Sequence, residues 1–101
     1  MKVIFVLFRR SDISREQCHA QWSGEQHVSV VRKLPGLTRW VQNRVTVPPD
    51  GNVPDGIGEL WFDGSGALES PEMAAAVEDA KRFLDMTRSC ALVVEERPIL
   101  G

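Results

Sequence analysis

Val3-Ile4-Phe5-Val6-Leu7-Phe8 is an unbroken apolar run, rich in β-branched and aromatic side chains. Such a run reads as a strand buried on both faces. Arg9-Arg10-Ser11-Asp12 closes it. Ser14 with Gln17 three residues on forms a capping box, and Glu16 suits a first helical turn. A helix is therefore predicted from about Ser14 to Lys33, stopped by Pro35-Gly36. Leu37 to Val47 alternates imperfectly and reads as a second strand. Trp40, Gln42 and Arg44 fall on one face, and Arg39, Val41, Asn43 and Val45 on the other. Pro48 to Gly56 is a loop by its Pro, Asp, Asn and Gly content, long enough to cover something. Ile57 to Asp63 is a third strand, with Glu59 and Trp61 opposite Leu60 and Phe62.

Ser65 to Glu69 suggests a short helical turn. Ser70-Pro71-Glu72 is a strong helix start: a cap, a proline at the first position, an acid in the first turn. Met73, Ala76, Val77, Ala80, Phe83 and Leu84 then recur at helical spacing. Cys90 to Glu96 is a fourth strand, and residues 97–101 are a tail. The order βαββαβ predicts an α+β ferredoxin-like domain spanning residues 1–101. Its four-stranded antiparallel sheet carries two helices on one face. The other face would leave Val3–Phe8 and its neighbours bare. A monomer rarely exposes so much contiguous apolar surface. Two sheets stacked face to face in a homodimer, a dimeric α/β barrel, would cover it.

Both histidines, His19 and His27, fall on the first predicted helix, eight residues apart. At about 100° per residue they stand about 80° apart around the axis, with Ser23 between them. Val30, Val31 and Leu34 share that side. A core-facing stripe with two imidazoles and a hydroxyl is either satisfied core polarity or the roof of a pocket.

Charge narrows the choice of partner. Twelve Lys and Arg against 14 Asp and Glu leave a net charge of -2. That balance gives no drive toward nucleic acid or anionic lipid. No run is long enough to span a bilayer, and the apolar start is too short for a signal peptide. A cytoplasmic protein is expected, contacting neither nucleic acid nor membrane. Cys18 and Cys90 sit in no metal or redox spacing and read as reduced, mostly buried thiols.

Across His19-x-x-Trp22, His27 and Leu34-Pro35-Gly36-Leu37 the chain resembles the EthD family of the dimeric α/β-barrel group. Arg39-Trp40-Val41-Gln42-Asn43, Gly58-Glu59-Leu60-Trp61-Phe62-Asp63 and Arg82-Phe83-Leu84-Asp85 extend the likeness, which ends with Ser89 and the last strand. It departs where that family usually has an aromatic at Cys18 and a tyrosine at Trp40; this chain has no tyrosine. The resemblance implies a dimer of ferredoxin-like subunits, a pocket between sheet and helices, and no metal or organic cofactor. Lactone isomerases, aromatic polyketide cyclases and dehydratases are among such relatives, so the resemblance constrains fold more than chemistry.

His27 is the first catalytic candidate, because imidazole takes and returns protons near neutral pH. The alternative is a core histidine bonded to a strand carbonyl. His19 is the second, as a group orienting a substrate oxygen or as a structural bond to the sheet. Two histidines without a third ligand argue against a metal. Trp22, Trp40 and Trp61 are candidates for an aromatic lining around a flat substrate, or for core. Ser23, Gln42 and Glu59 complete the candidate substrate-binding set. Glu59 beside Trp61 is either an acid of raised pKa or a solvated carboxylate. The functional expectation is a cofactor-independent lyase or isomerase, of cyclase, dehydratase or lactone isomerase type. It would act on a small cyclic or aromatic carbonyl compound by His-mediated proton transfer. The alternative is a non-catalytic small-molecule-binding or accessory protein of a catabolic or biosynthetic pathway.

Overall fold

The structure, a computed structural model, describes residues 1–101. Its elements are β1 (Lys2–Leu7), α1 (Arg15–Trp22), α2 (Glu25–Val31), β2 (Leu37–Arg44), β3 (Gly56–Phe62), a 3-10 turn (Ala67–Glu69), α3 (Pro71–Ala80) and β4 (Cys90–Val94). The sheet is antiparallel in the order β2-β3-β1-β4. This is the expected α+β ferredoxin-like arrangement. No helix is long and apolar enough to cross a membrane.

The capping box predicted at Ser14 forms. Its hydroxyl accepts from the Gln17 backbone N–H, and the Gln17 side chain accepts from the Ser14 N–H. The continuous helix expected from Ser14 to Lys33 does not. It breaks at Ser23-Gly24 into α1 and α2. Ser23 turns its hydroxyl back onto the His19 carbonyl, 2.9 Å away, a bond that competes with helix continuation. Gly24 is extended (φ -73°, ψ 156°) and opens α2 as its N-cap. A Cβ there would stand 3.0 Å from the Ala20 carbonyl oxygen, so the tight chain crossing favours glycine. Periodicity alone hid this break, because the apolar spacing continues through it.

The second helix is also shorter than expected. Ser70 caps α3 by accepting from the Met73 N–H, and Pro71 occupies its first turn. The regular helix ends at Ala80, yet Phe83 and Leu84 remain core residues in the following turn. β2 stops at Arg44 rather than Val47, with a register shift between Leu37 and Arg39. β4 stops at Val94.

β1 is central in the sheet, but only one of its faces is covered by helices. Val3 and Leu7 are buried there, beside Leu60 and Phe62 of β3. Ile4 and Val6 lie on the other face, only half-buried, so burial on both faces is not reached within one chain. Cys90, paired with Val6, is likewise exposed, contrary to the expectation of two buried thiols.

The core is split. One cluster includes Val3, Val31, Leu34, Leu60, Met73 and Ala76. A second includes Leu7, Cys18, Trp22, Ala80, Phe83 and Leu84. Phe5 packs against both. The Trp22 indole reaches the sheet only because β3 is notched by glycine: a Cβ on Gly56 would fall 2.6 Å from Trp22 Cζ3.

A Gly56→Ala variant is expected to lose about 1–3 kcal/mol of stability through this overpacking. Gly51→Ala, where a Cβ meets nothing within 4 Å, serves as the near-neutral control. Urea unfolding of the two variants beside the parent chain measures the difference.

Candidate functional site

Between the two core clusters lies an apolar cavity of about 70 Å³. Its floor is Phe5, Leu7, Gly58 and Leu60 of the sheet; its roof comes from Trp22, His27, Val31 and α3. Trp40 and Met86 also border it. His27 and Gly58 are the only lining residues that are not hydrophobic, so one titratable group faces a greasy space.

His27 sits on α2, 6% exposed. Its ring meets Phe83 edge-on at 5.0 Å between centroids and Trp40 at 6.3 Å. Nδ1 lies 2.8 Å from Asp79 Oδ2, on α3. Arg82 donates Nε and Nη2 to the two Asp79 oxygens at 2.9 and 3.0 Å, and Gln26 adds another bond at 3.0 Å. Those donors, Arg82 foremost, hold the Asp79 carboxyl down at about 2. An ionised carboxylate only accepts, so Nδ1 carries the imidazole proton. Nε2 is left as a lone-pair acceptor. It has no partner in the protein and is not sealed off.

Burial lowers the His27 pKa from 6.5, outweighing the Asp79 carboxylate, which pulls the other way. The carboxylate loses because its charge is already shared with Arg82. The resting ring is therefore neutral at pH 7, as a general base must be.

The remaining candidates scatter. His19 Nε2 donates to the Asp55 carbonyl at 2.7 Å, on α1 and outside the cavity lining. The break at Gly24 separates it from His27, so the two do not share one stripe. Ser23 is held by the His19 carbonyl as described, and does not line the cavity. Gln42 does turn toward the helices, but its amide donates to the Trp22 carbonyl at 2.9 Å, tying β2 to the end of α1. Trp22 and Trp40 line the cavity.

Trp61 and Glu59 lie on the opposite face of the sheet. Trp61 Nε1 donates to Glu96 at 3.0 Å, and Lys2 and Arg39 stand over its ring. Glu59 pairs with Lys2 at 2.8 Å and accepts from Asn43 at 2.9 Å. The Lys2 bond, then Asn43, lowers its pKa; the raised value suggested by its aromatic neighbour is corrected. Burial, and after it the Asp55 charge, pushes the Cys18 thiol up to about 11 and removes it as a nucleophile.

The Pro48–Gly56 loop does not gate this cavity either. Pro49, Asp50 and Gly51 instead border a separate polar cleft of about 230 Å³ with Arg9 and Arg88. Buried Asp55 anchors the loop's end, bonded by the Arg9 N–H at 2.9 Å and by Arg15 Nε at 3.0 Å. Arg15 also donates to the Val47 carbonyl. No group of three or more His, Cys, Asp or Glu side chains converges in the fold.

Asp79 and Arg82 are the residues sequence reading missed. The signal was faint: an acid near the end of α3 and a base three residues on, in the turn that follows. Such pairs are usually solvated helix faces.

The fold is that of a ferredoxin-like α+β domain, with one histidine–carboxylate pair beside an apolar hollow. The chain belongs to the EthD family: the EthD domain model matches residues 10–87. Among solved structures it is similar to an ethyl tert-butyl ether d (EthD) family protein of Bacillus halodurans. The two share 22% identity, 95% and 97% coverage and a TM-score of 0.72. HapK of Hahella chejuensis matches at 14% identity, with 100% and 99% coverage and a TM-score of 0.65. SnoaB of Streptomyces nogalater, a cofactor-independent oxygenase, matches at 14% identity, with 98% and 96% coverage and a TM-score of 0.57. No curated protein matches the sequence. Identities this low establish the shared fold and carry no activity across.

The pH response of stability follows from the depressed His27 value. The folded state disfavours imidazolium, so the stabilisation is whole above pH 6.5 and is lost as pH falls through the lower folded value. Asp79 adds a second loss, complete only as pH falls from 3.8 toward about 2. Urea midpoints for the parent chain are expected to fall between pH 7 and pH 5. In His27→Gln that drop is expected to flatten, while the loss near pH 3 persists.

Proposed function

We propose that this protein is a cofactor-independent lyase- or isomerase-type enzyme acting on a small cyclic or aromatic carbonyl compound. His27 is its proton-transfer residue. The observation that carries the reading is the free Nε2 lone pair of a neutral, buried imidazole bordering an apolar cavity, with Nδ1 committed to Asp79.

The chemistry follows from that arrangement. A substrate C–H next to a carbonyl gives its proton to Nε2. The C–H electron pair moves into the carbon–carbon bond, and the carbonyl π pair ends on oxygen as an enolate. The resulting imidazolium is paired with Asp79 through Nδ1. Proton return from Nε2 to a different carbon isomerises the compound, while return to a leaving hydroxyl as the enolate collapses expels water. Asp79 is a positioning residue: it fixes the tautomer and balances the charge formed on the ring. Arg82 holds Asp79 in place, and Gln21 accepts from Arg82 Nη1 at 2.9 Å. His19, Ser23, Gln42, Glu59 and Trp61 take no step in this scheme. A non-catalytic carrier of the same compounds is the second reading, favoured by the cavity's having a single titratable group.

The homodimer belongs to the same proposal. The sheet face carrying Ile4, Val6, Val41, Ile57 and Leu92 has no helix on it, and Leu92 is 49% exposed. A two-fold stack of these faces buries them. The solved relative from Bacteroides fragilis is itself described as dimeric with a ferredoxin-like fold.

Two outcomes are expected. In D₂O, the protein should catalyse deuterium uptake at the acidic carbon of a cyclic or aromatic ketone from a panel, with a rate that rises with pH and levels off above a pKa under 6.5. His27→Gln should abolish the uptake. Asp79→Asn should cut it about 100-fold or more and displace the pH profile. Tight ligand binding without uptake favours the carrier. Sedimentation should show a dimer, and Leu92→Arg should yield folded monomers; a monomeric parent chain sinks the assembly.

A further inference from the structure

We infer that the cavity selects a neutral ketone through one hydrogen bond from the Trp22 indole N–H, and that it rejects carboxylates and phosphates. The inference rests on the proton-transfer reading above and deepens it.

Trp22 is 4% exposed and borders the cavity. A buried indole N–H ordinarily finds a partner. This one has none among the side-chain bonds, and it is not a sealed, orphaned atom. Gln42 bonds the Trp22 backbone carbonyl instead, which fixes the residue without using its ring. The six-membered ring lies against the glycine notch, with Cζ3 toward Gly56 and Cζ2 toward Gly58. Cζ2 adjoins the ring carbon that bears Nε1, so the N–H edge sits on the Gly58 side, and Gly58 is cavity floor. The donor therefore opens toward the same space as His27.

Two complementary atoms face a ligand there: a donor on Trp22 and an acceptor on His27. A ketone matches both, oxygen to the indole and acidic C–H to the imidazole. The match improves during reaction, since the carbonyl π pair ends as enolate charge on the oxygen the indole holds. An anion accepts from the indole as readily as a ketone does, but nothing in the cavity balances its charge. No cation lines the cavity, and an ionised group loses its hydration on entering apolar walls. Arg82, the nearest guanidinium in this network, is already committed to Asp79 and Gln21.

Three probes of one shape separate these features: acetophenone, α-methylstyrene in which C=CH₂ replaces C=O, and benzoate. Binding is followed by ligand-observed and ¹⁵N-indole NMR on the full chain, with the Trp22 indole peak assigned by its loss in Trp22→Phe. Acetophenone should bind about fivefold more tightly than α-methylstyrene, the worth of one neutral hydrogen bond, and benzoate should not bind. Only acetophenone should move the Trp22 N–H resonance downfield. In Trp22→Phe the preference for the ketone should vanish. If that variant fails to fold, Trp40→Phe and Trp61→Phe assign the Trp22 peak by elimination, and the wild-type indole resonances with the three wild-type affinities decide the matter.

The inference is overturned by equal binding of the two neutral probes, by binding of benzoate, by movement of the Trp40 indole peak in place of Trp22, or by no binding of acetophenone at millimolar concentration. Deuterium uptake into the acetophenone methyl group is scored separately. A ketone preference with no uptake upholds the Trp22 contact and removes only the proton-transfer reading.

Discussion

One carboxylate organises the roof of the cavity. Asp79 on α3 accepts from His27 and Gln26 of α2 and from Arg82 just beyond its own helix. It ties the two helices together at the point where a continuous apolar seam would otherwise close. Burying such a group is costly, and its Arg82 partner offsets that cost only while the bonds are complete. The pair is thus poor evidence for stability but good evidence for a demanded geometry. It sets which nitrogen of His27 keeps its proton and which is left bare.

The cavity exists for a steric reason that acts alongside this. Trp22 anchors one cluster from the end of α1, Val31 and Leu34 anchor the other from the end of α2, and the kink at Ser23-Gly24 sets the two anchors apart. The glycine notch at Gly56 and Gly58 lets the indole sink into the sheet without filling the space above Leu60. Broken helix, notched strand and bridging carboxylate act together, and a side chain filling the notch would push Trp22 away from the sheet.

The two ends of the sheet are used differently. At one end, Asp55 gathers Arg9, Arg15 and the His19 ring, so that a long connection full of turn residues is pinned rather than left to move. That explains why His19 is polar on a core-facing helix without touching the cavity. On the helix-free face, Trp61, Lys2, Glu59 and Arg39 form an interlocked polar rim around the apolar centre. Their chemistry belongs to that surface.

Element type, strand alternation and chain order were legible from residue pattern alone, because they depend on neighbours two to four positions away. The Ser14 and Ser70 caps and the inward turn of His27 follow from such local signals, whereas which face of β3 takes Trp61 was settled only by pairing with β1. The helix break was not legible, since Ser23-Gly24 leaves the apolar spacing intact and acts through a crossing with Ala20. Nor was the Asp79–His27 bond, which joins residues 52 positions apart. Which imidazole meets the hollow, which tautomer it holds and which carboxylate holds it were decided only when α2 and α3 packed side by side. Burial and through-space pairing are properties of the assembled fold, and no short window of sequence contains them.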